Sequence, residues 1–138
     1  MRAHVEPISV RYAETDRMGV AHHSSYLLWF EIGRTGLLRE AGHPYRDLES
    51  RGVLLAVIEY GARFMKAADY DDRLAIEASI RDLQSRAVTF DYRVRRGEEV
   101  IAEGFTRHVC ADKELKPRRF PDEVVAAVAP YRADASES

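Results

Sequence analysis

The fold is decided by residues 24–41, which read SSYLLWFEIGRTGLLREA. Side chains that share one helix face recur there every three or four positions, at Leu27, Phe30, Arg34, Leu37, Leu38 and Ala41. Ser24 or Ser25 can cap the N-terminus by accepting a hydrogen bond from an otherwise unpaired amide. Gly42 followed by Pro44 is a stop signal. The pattern predicts one long helix over residues 24–41.

Two glycines, Gly33 and Gly36, lie inside this helix. Each costs about 1 kcal/mol relative to alanine, because glycine loses more backbone freedom on folding. Their presence predicts that another part of the chain approaches this helix closely. A sheet wrapped around the helix would require such an approach.

The flanking segments change to the period of β-strands. Apolar residues alternate with polar ones, or run continuously, in five segments at residues 5–12, 53–60, 74–80, 88–94 and 100–110. The continuous run at 53–60 predicts a strand buried on both faces. Pro121 opens a short C-terminal helix over residues 122–129. Serial strands favour an antiparallel sheet, so we expect an α+β fold in which about five strands curl around the long helix.

Size and charge limit the classes of function. The chain has 138 residues, a formal net charge of −2 and a single cysteine, Cys110. We expect one domain over residues 1–132 and a flexible polar tail at 133–138. The near balance of charge predicts no general affinity for nucleic acid or anionic membranes, and no apolar run approaches the roughly 20 residues that span a bilayer. Because one cysteine cannot form an intrachain disulfide, we expect a cytoplasmic protein.

Reactive side chains are concentrated around the loop before the long helix, at Tyr12, Glu14, Thr15, Asp16, His22, His23 and Tyr26. The loop ends at a helix N-terminus, where unpaired amides and the positive end of the helix dipole suit a developing oxyanion. Asp16 could therefore activate water or attack a carbonyl carbon. The alternative is that Asp16 only stabilises a turn in the loop.

Other chemistries have weaker support. His22 and His23 lack partners at the usual spacing of metal ligands, so we expect no metal site. No G-x-S-x-G elbow or glycine-rich phosphate loop is present, and Cys110 has the setting of a packed core thiol. The basic run 116–119, with Lys66 and Arg86 near strand ends, is either a solvated surface or a contact for cofactor phosphates.

Several segments resemble one enzyme family. Residues 10–20, VRYAETDRMGV, followed by His23, Tyr26 and Leu27, resemble the signature of the 4-hydroxybenzoyl-CoA thioesterase family, and especially its YbgC-type acyl-CoA thioesterase branch, which has the hotdog fold. Further similar segments cover nearly the whole chain, at 64–68 with Asp71, Asp72 and Leu74, at 102–104 with Val109 and Cys110, and at 117–119 with Pro121.

The resemblance implies an acyl-CoA thioesterase and implies roles for several residues of this chain. Asp16 corresponds to the catalytic carboxylate, acting as nucleophile or general base. His23 corresponds to the helix-start position whose backbone amide polarises the thioester carbonyl, and Tyr12 to a tyrosine that accompanies this pair. CoA is then part of the substrate and no cofactor is expected. Our candidates for substrate binding are Tyr26, Glu31, Lys66, Arg86 and Arg118.

This chain departs from the family pattern at two places. Ser24 and Ser25 stand where relatives carry Ala-Asn, which affects the contacts to the acyl group, and Ala67 replaces a proline. The resemblance also implies a homodimer that assembles into a homotetramer. Two alternatives stay open: an enoyl-CoA hydratase or dehydratase that pairs Asp16 with His22 or His23, and a noncatalytic acyl-CoA-binding module.

Overall fold

A computed structural model describes residues 2–133, which form five β-strands, three α-helices and two short 3₁₀ turns. In chain order the elements are β1 (His4–Ser9), a 3₁₀ turn (Tyr12–Glu14), α1 (His23–Glu40), α2 (Tyr45–Ser50), β2 (Leu54–Phe64), β3 (Arg73–Leu83), β4 (Ala87–Arg96), β5 (Glu99–Ala111), α3 (Asp122–Val128) and a second 3₁₀ turn (Ala129–Tyr131). The predicted α+β class is confirmed.

The five strands form one sheet in the order β1-β3-β4-β5-β2, and every pair is antiparallel. This agrees with the predicted sheet of about five strands. Helix α1 crosses β1 and β3, and its buried residues face the sheet. The ring of Phe30 stacks on Tyr92 of β4 with centroids 4.5 Å apart. The core therefore lies between α1 and one face of the sheet.

The predicted long helix is confirmed within one residue at each end, but its buried face differs. Tyr26, Trp29 and Gly33 are buried, whereas Leu27 and Arg34, which the spacing placed on the core face, are only half-buried. The close approach predicted from the glycines is present, because a Cβ on Gly33 would lie 2.9 Å from Ile76 Cγ2.

The prediction that the strand at 53–60 is buried on both faces is wrong. Only Val53 of that run is buried, and the corresponding strand, β2, is an edge strand bonded only to β5. Large apolar side chains are exposed along it, at Val57, Ile58, Tyr60 and Phe64. A continuous apolar run cannot distinguish a central strand from an edge strand that another surface covers.

Several boundaries also differ from the sequence pattern. The first strand ends at Ser9 instead of continuing to residue 12, because the chain turns into the 3₁₀ turn at Tyr12–Glu14. Helix α2 lies in a segment that the pattern left as a link. The tail expected at 133–138 falls outside the described residues beyond Ala133, whose amide donates a hydrogen bond to the carbonyl of Ile80. Across residues 2–133 no helix is both long and apolar enough to cross a bilayer.

Candidate active site

The loop before α1 is a small β-hairpin, which we call the 14–22 hairpin. The amide of His22 donates to the carbonyl of Glu14 over 2.8 Å, and the amide of Asp16 donates to the carbonyl of Val20 over 2.8 Å. Thr15 and Ala21 form an antiparallel bridge between these bonds. The hairpin therefore presents Asp16 at the start of its turn and continues directly into the first residue of α1.

Asp16 both shapes the turn and remains partly accessible. Its Oδ1 accepts a hydrogen bond from the amide of Met18 over 2.8 Å, and the amide of Gly19 donates to its carbonyl over 3.0 Å. Asp at the first turn position and Gly at the fourth are the residues that such a turn prefers, and Gly19 has a φ of +80°. The turn-stabilising role left open by the sequence is thus present. It orients the carboxylate without burying it.

The N-terminus of α1 is open. His22 is the N-cap residue, with extended backbone angles, and no described side chain accepts a hydrogen bond from the first-turn amides as a cap. The first turn also contains no acidic residue to neutralise the helix dipole. The imidazole of His23 stacks on Phe64 at the end of β2, with centroids 4.1 Å apart and planes 9° apart. The His23 amide lies at the positive end of the helix.

Glu14 is a buried carboxylate at the base of the hairpin, and the sequence pattern did not predict its contacts. Its carboxylate is buried and accepts hydrogen bonds from the Arg11 amide at 2.8 Å, the Trp29 indole at 3.0 Å and the Arg11 guanidinium at 3.3 Å. Burial by itself raises the pKa of Glu14, but these hydrogen bonds together hold the pKa below its usual value. One signal existed in the sequence, since a tryptophan on a buried helix face needs an acceptor for its N–H group.

An open pocket of about 570 Å³ adjoins Asp16 and is lined by Tyr12, Thr15, Asp16, Arg17, Met18 and His22. Tyr12 is 78 % exposed, and its ring meets the edge of the Tyr70 ring at 5.8 Å. The structure thus brings together Asp16, Tyr12 and His22, whereas the side chain of His23 is not among the lining residues. A larger depression of about 670 Å³ lies among paired charges such as Arg81 with Asp91 and contains none of the predicted catalytic residues.

The remaining candidates near this end of the molecule have different surroundings. Tyr26 is buried between Trp29 and Phe64, with ring centroids at 4.5 and 4.8 Å, and burial raises its pKa. It therefore supports the site from within the core. Glu31 is exposed on α1, and Lys66 is exposed and pairs with Glu99 at 2.6 Å.

Arg86 and Arg118 lie at the opposite end of the sheet. Arg118 donates to the carbonyl of Gly52, just before β2, whereas His23 stacks on Phe64 at the end of β2. The carbonyl of Arg86 accepts the amide of Cys110, which is paired in register with Leu55 near the start of β2. The length of β2 separates the two ends by roughly 30 Å. One chain therefore does not bring these arginines to Asp16.

The described residues include no group of three or more His, Cys, Asp or Glu side chains arranged to hold a metal ion. Cys110 is a free, buried thiol, and burial raises its pKa.

Comparisons with known proteins agree with this fold. A family model described as "Thioesterase-like superfamily" matches residues 10–128, so the chain belongs to that superfamily. The chain is 34% identical over 128 residues to the putative acyl-CoA thioesterase YneP of Bacillus subtilis, covering 88% of this chain and 93% of the relative. It is 31% identical over 123 residues to the acyl-CoA thioesterase YbgC of Haemophilus influenzae, covering 88% and 90%.

Solved structures show the same architecture. The crystal structure of hypothetical protein TT1821 from Thermus thermophilus has a TM-score of 0.88 to this chain, with 41% identity, 92% of this chain covered and 98% of that one. The expected hotdog fold and membership of the YbgC-type thioesterases are confirmed. The expectation of an enzyme that acts on thioester bonds is confirmed at the level of the family.

Proposed function

We propose that this protein hydrolyses an acyl-CoA thioester to a free acid and CoA, with Asp16 as the catalytic carboxylate and the His23 amide as the oxyanion donor. One observation carries the proposal. The 14–22 hairpin presents a partly accessible carboxylate and continues without a break into an uncapped helix N-terminus. A nucleophile or base and an oxyanion site are thereby held by one short segment.

The chemistry follows from these two groups. The thioester oxygen accepts a hydrogen bond from the His23 amide, and the dipole of α1 favours the negative charge that develops there. Asp16 either attacks the carbonyl carbon or removes a proton from the water that attacks it. The C–S bond breaks, the CoA thiolate leaves and takes up a proton, and water supplies the new carboxyl oxygen. One such donor lowers the barrier by about 3–4 kcal/mol in other enzymes.

The candidate substrate-binding residues fall into two sets, one near Asp16 and one at the other end of the sheet. Tyr12 lines the pocket beside Asp16, and Lys66 and Glu31 are exposed candidates on the same chain. Arg86 and Arg118 can reach CoA phosphates only if a second copy of the chain brings them near. The cytoplasmic location, the absence of a cofactor and the tetramer stay predictions.

A homodimer through β2 would supply this arrangement. The strand has an unpaired edge, and its exposed apolar residues include Val57, Ile58 and Tyr60. Such an edge favours pairing with another strand. If two β2 strands pair antiparallel, the Arg118 end of one copy lies beside the Phe64 and His23 end of the other. The proposed dimer therefore completes the site.

Sedimentation equilibrium tests this arrangement. The protein sediments as a dimer or a multiple of it, and Ile58→Lys shifts it toward monomer and lowers turnover, because a charge on the apolar edge opposes pairing. Val5→Lys on β1, at the opposite edge of the sheet, serves as the control, because Val5 is also an exposed apolar residue and the substitution adds the same charge. A fully active monomer contradicts the proposed dimer.

Thiol release over a panel of acyl-CoAs tests the proposed activity. Acetyl-CoA, benzoyl-CoA and palmitoyl-CoA represent short, aromatic and long acyl groups, and crotonyl-CoA tests the rival hydratase reaction. We expect thiol release from at least one thioester and a loss of about 100- to 10,000-fold in Asp16→Asn. The melting temperature should change little, because asparagine can still accept from the Met18 amide.

Two outcomes reject this proposal. Loss of crotonyl-CoA absorbance without thiol release indicates a hydratase that uses Asp16 with His22, which lines the same pocket. Saturable acyl-CoA binding without turnover, unchanged in Asp16→Asn, indicates a binding module.

A further inference from the structure

Glu14 connects the 14–22 hairpin to α1 through both its side chain and its backbone. Its carboxylate accepts the Trp29 indole N–H at 3.0 Å, and its carbonyl accepts the His22 amide at 2.8 Å and the Ser25 hydroxyl at 3.0 Å. We propose that Glu14 is a positioning residue, which sets the Asp16 carboxylate relative to the amides at the start of α1. This inference rests on the thioesterase function proposed above.

The groups on α1 that bind Glu14 are held rigidly by the core. Trp29 is fully buried in the second turn of α1, and its ring packs against Tyr26 at 4.5 Å. Ser25 is also buried. Both donors are therefore held by the core, and the acceptor atoms of Glu14 must come to them. The position of Glu14 relative to α1 is therefore determined by two buried donors, Trp29 and Ser25.

The position of Glu14 also determines the position of Asp16 through the hairpin. Glu14 is two residues before Asp16, and its carbonyl forms the hydrogen bond with His22 at the base of the hairpin. A shift of Glu14 would move the base of the hairpin, and Asp16 with it, against the start of α1. Displacement of a catalytic group by about 1 Å can lower a rate by roughly 100-fold.

Ser25 adds a second connection between the helix and the hairpin. Its buried hydroxyl donates to the Glu14 carbonyl over 3.0 Å. This hydrogen bond joins the first turn of α1 to the backbone at the base of the hairpin.

The role of the Glu14 carboxylate can be tested with Glu14→Gln, which removes the charge and keeps the shape of the side chain. The Arg11 amide, the Arg11 guanidinium and the Trp29 indole all donate to the carboxylate. Glutamine has nearly the same shape but only one acceptor oxygen, and its NH₂ group would face a donor. Glu14→Gln therefore disturbs the connection without opening a cavity.

The experiment measures kcat and KM of thiol release for Glu14→Gln, Trp29→Phe and Ser25→Ala, using the thioester of the panel that the unmodified protein hydrolyses fastest. Tyr131→Phe is the matched control, because it also removes one hydrogen bond to a carboxylate, that of Glu40 at the other end of α1. We expect kcat to fall about 10- to 100-fold in Glu14→Gln and several-fold in Trp29→Phe and Ser25→Ala, with KM changed less than about threefold. The control should melt at a similarly lowered temperature and keep its kcat.

Each result decides the proposal. Unchanged kcat in Glu14→Gln, while Asp16→Asn is inactive, overturns the positioning role and leaves the proposed function intact. An equal loss of kcat in the Tyr131→Phe control shows a general effect of stability and also overturns it. If Glu14→Gln does not fold, unchanged kcat in both Trp29→Phe and Ser25→Ala has the same meaning. If the unmodified protein releases no thiol from any thioester of the panel, the proposed function and this inference are both rejected.

Discussion

The two ends of α1 are built in opposite ways. At the C-terminal end, Glu40 accepts hydrogen bonds or ion pairs from Arg2, His4 and Tyr131, each at 2.6 Å, and the other ring nitrogen of His4 lies 2.7 Å from Glu6. At the N-terminal end, no described side chain caps the first turn. At the C-terminal end the Glu40 carboxylate is satisfied by side chains, whereas at the N-terminal end no described side chain accepts a hydrogen bond from the His23 amide.

This difference between the two ends of α1 predicts that one end contributes to stability and the other to catalysis. A carboxylate in the last helical turn is unfavourable beside the negative end of the dipole, so Glu40 needs its three partners. The same dipole is left uncompensated at the start of α1, where an oxyanion would benefit from it. We therefore expect substitutions around Glu40, at the closed end of α1, to change the free energy of unfolding. Substitutions around His23, at the open end, should change turnover.

The largest of these effects at the closed end should come from Gly36→Ala. A Cβ there would overlap the side chains of Glu6 and His4. We expect the free energy of unfolding, measured in urea, to fall by roughly 1–3 kcal/mol, although alanine favours helix more than glycine does. Thr35→Ala, at the preceding half-buried position, controls for helix propensity. Undiminished stability would contradict the tight packing at this end.

A smaller effect is expected from Tyr131→Phe, which removes one hydrogen bond to Glu40 and should lower stability by about 1 kcal/mol. The Tyr131 and His4 hydrogen bonds hold the pKa of Glu40 below its usual 4.5. The stability from this lowered pKa is fully present above pH 4.5 and is lost as the pH falls through the folded-state pKa. Urea unfolding at several pH values should therefore show the difference between variant and parent shrinking in acid. A constant difference would show that ionised Glu40 is not the partner that matters.

The smallest effect is expected from His23→Ala at the open end. The backbone amide remains, and the substitution removes only the ring that stacks on Phe64. We expect kcat to fall less than about threefold, which corresponds to roughly 0.6 kcal/mol in barrier height and is far less than in Asp16→Asn. His22→Ala, at the neighbouring position, gives a comparison for loss of an imidazole. A loss equal to that of Asp16→Asn would assign chemistry to the His23 side chain.

Much of the fold was predictable because its signals are local. The spacing of apolar residues predicts α1 and the strands, and Gly33 and Gly36 predict the close approach of the sheet. The Asp16 turn follows from Asp and Gly at their preferred positions. The edge position of β2 was not predictable, because the apolar run at 53–60 has the same pattern whether a strand or a second molecule covers it.

The candidate site divides in the same way. Asp16, Tyr12 and His23 were predicted from a short motif, since they lie in a 3₁₀ turn, a hairpin and a helix start that follow one another along the chain. The hydrogen bond between Glu14 and Trp29 was not predicted, because the two residues are fifteen positions apart and only the packing of hairpin against helix brings them together. Arg86 and Arg118 were grouped with Lys66 by charge alone, which carries no information on which end of the sheet they occupy.

The helix, the strands and the carboxylate before the helix therefore follow from local sequence, because they depend on periodicity and turn chemistry over a few residues. The buried face of α1, the edge position of β2 and the hydrogen bond between Glu14 and Trp29 follow only from the packing of the folded chain. Those features depend on contacts between distant segments, and such contacts are selected by the shape and hydrogen bonding of the whole core.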